Sequence, residues 1–141
     1  MEIVINFWAV IVCTIVSIIL GFMWFGPLFG KAWMKEMGFS LEHTEDSKQK
    51  GMGTKQYVLM TLGSFLTAYV LAHAFAFASF ATNTHGVLAG VSAGFWNWLG
   101  FIAPVTVGVV LWEGKSWKLW FIQGGYYLAS LVIQGIILAL W

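Results

Sequence analysis

The residues of this chain best suited to chemistry are few and stand inside long apolar runs: Cys13 and Thr14, His73, Asn97 and Gln134. His73 carries an imidazole, the side chain that exchanges a proton near neutral pH. Asn97 and Gln134 each offer a carbonyl oxygen and an amide nitrogen, and Thr14 offers a hydroxyl. Ser17, Ser130, Tyr69 and Tyr127 stand close enough to extend the set. Gathered around one space, these groups could hold a small solute or relay a proton. Paired across helices, they would only fix packing, each contributing around 1 kcal/mol. The sequence leaves both readings open.

A second group collects where apolar runs end: Lys31 and Trp33 after the first run, and Glu113, Lys115 and Lys118 around the start of the last. Tryptophans and lysines at that level are ordinary membrane anchors. Glu113 is the acid of its short loop, expected to pair with Lys31 or Lys118 or to help form a gate, and the lysines could hold a lipid phosphate. The chain has no HExxH, HxxxH or GxSxG spacing and no paired catalytic carboxylates. Cys13 is its one cysteine, which rules out an internal disulfide or a cysteine zinc site. His43, His73 and His85 are expected on different levels or sides, so no metal or cofactor is predicted. A formal charge of +1 gives no reason to expect nucleic acid. The balance leans away from an enzyme.

The elements that must position these groups are transmembrane helices. With 60% hydrophobic and 9% charged residues and a mean hydropathy of +0.81, the chain has too little polar surface for a water-soluble globule. Four runs, at about 4–29, 57–81, 87–112 and 118–141, meet the roughly 20 apolar residues that a helix needs to cross the hydrocarbon, and none alternates with period two. They predict one all-α membrane domain over 1–141, four spans in an antiparallel bundle. The first run reads as a retained span, because no basic leader or small-residue cleavage site accompanies it.

All seven basic residues are lysines, and they fall at one end of this map. Lys31, Lys35, Lys48, Lys50 and Lys55 lie in the 30–56 connection, with Lys115 and Lys118 around the next. Basic connections stay in the cytoplasm, which predicts an inner-membrane, multi-pass protein with both termini and the 82–86 turn outside. Counted from the span midpoints at about 1.5 Å per residue, Cys13, Thr14, His73, Asn97 and Gln134 all fall roughly 2 to 8 Å toward the outer face. In the long connection, Lys31-Ala32-Trp33-Met34-Lys35 reads as an interfacial continuation of the first span. Ser40 is expected to cap a short helix ending at Gly51, and Thr54 to cap the second span.

Small residues suggest which spans touch. Ala68, Ala72 and Ala76 recur every four residues, as do Gly86, Gly90 and Gly94, so the second and third spans are expected to meet along these faces. Pro104 leaves the carbonyl of Gly100 without its usual donor and predicts a kink. An internal echo hints at two duplicated hairpins: Gly30-Lys31-Ala32-Trp33 with Gly114-Lys115-Ser116-Trp117, and Leu20-Gly21-Phe22 with Leu99-Gly100-Phe101.

The border segments 21–35 and 111–119, with Gly100-Phe101-Ile102-Ala103-Pro104 and Gly125-Tyr126, resemble a family of small prokaryotic membrane proteins catalogued as domain of unknown function seventeen-sixty-one. The resemblance covers nearly the whole chain. It implies a compact polytopic protein and carries over no reaction, substrate or catalytic residue. The expected function is a non-enzymatic bundle that binds or moves a small solute or lipid through the outer polar layer. That layer would be formed by His73, Asn97, Gln134, Thr14 and Tyr69, in a homo-oligomer among membrane lipids. The alternatives are a structural or accessory subunit and, third, an intramembrane enzyme.

Overall fold

The computed structural model describes residues 4–39 and 53–141. Among these, four helical segments are long and apolar enough to cross a bilayer: Phe7–Leu28, Thr54–Thr82, Val87–Leu111 and Trp117–Leu140. Each begins and ends within a few residues of its expected bounds, and the connections reverse the chain into an antiparallel bundle without strands among the described residues. The short helix expected between Ser40 and Gly51, with Lys48 and Lys50, lies outside them.

The helix ends follow local chemistry. Asn6 opens the first span by accepting from the backbone N–H groups of Trp8 and Ala9, and Ser116 opens the fourth by accepting from Leu119, 3.1 Å. The second span starts at Thr54, with Gly53 in the cap position expected for Thr54. The predicted continuation of the first span is a separate helix, Gly30–Met37, which stops at Gly38 in the left-handed region, φ 81°.

The first span lies against the second and fourth, and the largest interface joins the third to the fourth. This corrects the expected pairing of small residues. Ala68 and Ala72 pack on Val10 and Cys13 of the first span. Gly90 and Gly94 turn toward the fourth span: a methyl at Gly90 would strike the backbone of Gly135, and one at Gly94 the backbone of Leu131 and Val132. Gly135 in turn faces the Gly90 carbonyl, so the two backbones meet with no side chain between them. Lipid is as apolar as leucine, so the close fit itself, rather than escape from solvent, selects the partner.

Both the first and third spans contain a wide helical turn closed by an i→i+5 hydrogen bond. In the first, Trp24–Leu28, the Phe29 N–H donates to the Trp24 carbonyl at 2.8 Å; in the second, Trp98–Ile102, the Ala103 N–H donates to the Trp98 carbonyl. Proline supports both turns. Pro27 cannot donate to the Met23 carbonyl, nor Pro104 to that of Gly100. Each leading tryptophan then points its indole into the fourth span, Trp24 Nε1 donating to the Ile122 carbonyl and Trp98 Nε1 to that of Gly124, both at 2.9 Å. The spatial echo thus aligns Trp24-Phe25-Gly26 with Trp98-Leu99-Gly100, not the Leu-Gly-Phe runs read from sequence. From Ala103 the third span continues as two short pieces, Ala103–Thr106, which contains Pro104, and Gly108–Leu111, so the predicted kink is a longer interruption. Trp120 Nε1 holds the first piece through the Thr106 hydroxyl, 3.1 Å.

Candidate functional site

The polar residues expected in one layer divide into a closed cluster and an open groove. The cluster joins the first and fourth spans. Gln134, 1% exposed, donates its amide to the hydroxyls of Ser17 at 2.6 Å and Ser130 at 3.0 Å. Ser130 donates to Ser17 at 3.2 Å, and Ser17 to the Cys13 carbonyl at 2.8 Å. The Cys13 thiol reaches the Gln134 carbonyl at 3.6 Å, and the Tyr126 hydroxyl the Ser17 carbonyl at 3.1 Å. Thr14 is buried beside them and donates back to Val10, 2.8 Å. Every donor in this cluster is used on another protein atom, the arrangement of a packing clasp. One acceptor, the Gln134 Oε1, is buried without a donor among the described residues.

His73 is not at the centre of this cluster. Its Nδ1 lies 2.9 Å from the Tyr69 carbonyl one turn earlier, and its ring meets the Tyr69 ring edge-on at 4.5 Å. Tyr69 itself stacks on Phe7 and packs on the core between the first two spans. Asn97 likewise bonds within its own helix, Nδ2 to the Ala93 carbonyl at 2.8 Å. No hydrogen bond among the described residues joins His73, Asn97 and Gln134. The expected single layer is therefore three separate features: the clasp around Gln134, His73 against Tyr69, and the groove that Asn97 lines.

Asn97 lines the open feature, a groove of about 500 Å³ between the second and third spans at the end bearing the 82–86 turn. It exists because the glycine face of the third span is committed to the fourth. The face left toward the second span is Leu88, Ala89, Ser92, Ala93 and Trp96, opposite Ala74, Ala78 and Ser79. Thr82, Thr84 and His85 stand at the turn end. Ser79 is 7% exposed, and its hydroxyl has no hydrogen-bond partner among the described residues. The groove contains no lysine, aspartate or glutamate. Sequence reasoning passed over Ser79 and Ser92, although both stand within two helical turns of a tight connection that brings them to one level.

At the lysine-bearing border the expected partner of Lys118 changes. Glu36, not Glu113, makes the ion pair, its Oε1 3.7 Å from Lys118 Nζ, while its Oε2 accepts from the Ser116 hydroxyl. Glu113 and Lys31 are exposed and Lys115 is half-buried, and none of the three makes an ion pair among the described residues. Trp33 is half-buried between the rings of Phe25 and Phe39, which hold it on the short helix. The clue to Glu36 was its place one helical turn beyond Ala32 on the interfacial helix.

Four apolar spans around a buried hydroxyl–amide clasp define a small polytopic helical membrane protein. The chain belongs to the family described as Protein of unknown function (DUF1761), which matches residues 8–139. No curated protein and no solved structure matches it.

Proposed function

We propose that this protein binds an uncharged amphiphile, a lipid or small solute with a hydrogen-bonding head and an apolar body, in the groove between its second and third spans. The observation that carries this reading is the Ser79 hydroxyl, buried on the groove wall without a partner among the described residues. A buried hydroxyl in hydrocarbon surroundings gains from a ligand that supplies the missing hydrogen bond. Ser92, Asn97, Thr82 and Thr84 add neutral donors and acceptors, and the alanine and tryptophan walls suit an apolar body. The lack of a fixed charge in the lining favours a neutral head. With the lysine-bearing connections inside, by the positive-inside rule, the groove opens toward the outer leaflet of the inner membrane and both termini lie outside. The polar groups of the first and fourth spans are closed on one another, which favours binding over passage through the bundle.

A long-chain alcohol bearing a photoreactive diazirine tests this on the purified protein in lipid nanodiscs. Adducts are expected on residues 74–79 and 88–97, and Ser79→Ala should lower them roughly threefold, the worth of one hydrogen bond. Adducts spread evenly over lipid-facing positions such as Leu62 and Phe101, or unchanged in Ser79→Ala, would overturn the reading.

A further inference from the structure

We infer a second ligand site, for one anionic phospholipid, at the lysine-bearing end of the bundle. A groove of about 470 Å³ runs there between the fourth span and the chain leaving the first, lined by Trp24, Phe29, Ala32, Lys118, Phe121 and Ile122. Its volume is in the range of ligand pockets, about 300–1,000 Å³. Five of its six lining residues are apolar, and the sixth is a cation. That is the complement of a phospholipid: an acyl chain along Trp24, Phe29 and Phe121, and a phosphate on the Lys118 ammonium.

The wall is built rather than incidental. The wide turn sets Trp24 against the fourth span, and its indole bond to the Ile122 carbonyl fixes the ring. Lys118 is able to change partner. Its side chain is 60% exposed and its contact with Glu36 is long, so the present pair holds it weakly. Ser116 keeps Glu36 hydrogen-bonded when the ammonium turns to a phosphate. Charge at this border points the same way: among its described residues Lys31, Lys35, Lys55, Lys115 and Lys118 outnumber Glu36 and Glu113. Lysines near a membrane surface attract acidic headgroups over zwitterionic ones. This site and the outer groove share no lining residue, so either stands without the other.

Native mass spectrometry of the detergent-purified protein, with equal phosphatidylglycerol and phosphatidylcholine added, tests the assignment. The wild type should retain phosphatidylglycerol preferentially. Lys118→Gln should weaken that retention roughly fivefold, the worth of one lysine beside an acidic headgroup. Glu36→Gln, which removes the competing carboxylate, should strengthen it. Ala32→Leu, which fills the groove without altering charge, should reduce retention while helicity and melting stay at wild-type values. Equal retention of the two lipids, no change in both Lys118→Gln and Ala32→Leu, or displacement of the lipid by millimolar inorganic phosphate would overturn it.

Discussion

Replacing Gly135 by alanine is the sharpest probe of how this bundle is held together. A Cβ at Gly135 would fall onto the Gly90 carbonyl oxygen and carbon and lie 3.5 Å from the Gly90 Cα, all backbone atoms of the third span. A flexible side chain could swing aside, but a helix backbone cannot, so the third and fourth spans must separate. Overpacking of this kind costs about 1–3 kcal/mol. Separation also thins the dispersion contacts along the largest interface in the molecule, where hydrophobic burial offers no compensation in lipid. The reciprocal change, Gly90→Ala, meets the Gly135 backbone and the Ala139 methyl and should cost a similar amount. The double variant should cost less than the sum, since one separation relieves both clashes. Gly63, where an added methyl would meet nothing within 4 Å, supplies the control: Gly63→Ala should be neutral or stabilising by up to about 1 kcal/mol through helix propensity. Reversible unfolding in mixed micelles with sodium dodecyl sulfate reads these differences. A Gly135→Ala variant as stable as Gly63→Ala would refute the close approach.

The matched wide turns predict matched losses: Trp24→Phe and Trp98→Phe should each lower stability by about 1 kcal/mol in the same unfolding assay, because each removes one indole bond to the fourth span. The clasp predicts an order. Ser17→Ala strips the Gln134 amide and Ser130 of their shared partner and should cost about 1–2 kcal/mol. Gln134→Met removes a buried unpaired acceptor while Ser17 keeps its bond to Cys13, so it should cost less, and melting temperatures compared in one detergent check the ranking.

Span number, span limits and the broken third span were legible in the sequence because length, hydropathy and proline act locally. Relative depth was countable in the sequence, since a fixed rise per residue puts Thr14, His73, Asn97 and Gln134 near one level by residue number. Azimuth was not. In water a helix betrays its inner face by apolar residues, but in lipid both faces are apolar, and the second span is apolar all round. His73 and Gln134 therefore share a level by residue count while facing different neighbours. The four-residue glycine period of the third span correctly signalled a close backbone contact, yet it carries no label for the partner, which is the fourth span and not the second. Glu36 escaped notice because Glu113, adjacent to the lysines in sequence, is not the acid adjacent to Lys118 in space.

A density map of the protein in lipid nanodiscs would show whether committing the third span to the fourth leaves an occupied groove beside the second. Gly90 is expected against Gly135, with elongated non-protein density between Ser79 and Asn97 and a polar atom at hydrogen-bond distance from the Ser79 hydroxyl. A second span closed onto the third, with Ser79 bonded across to it and no room between, would contradict this arrangement.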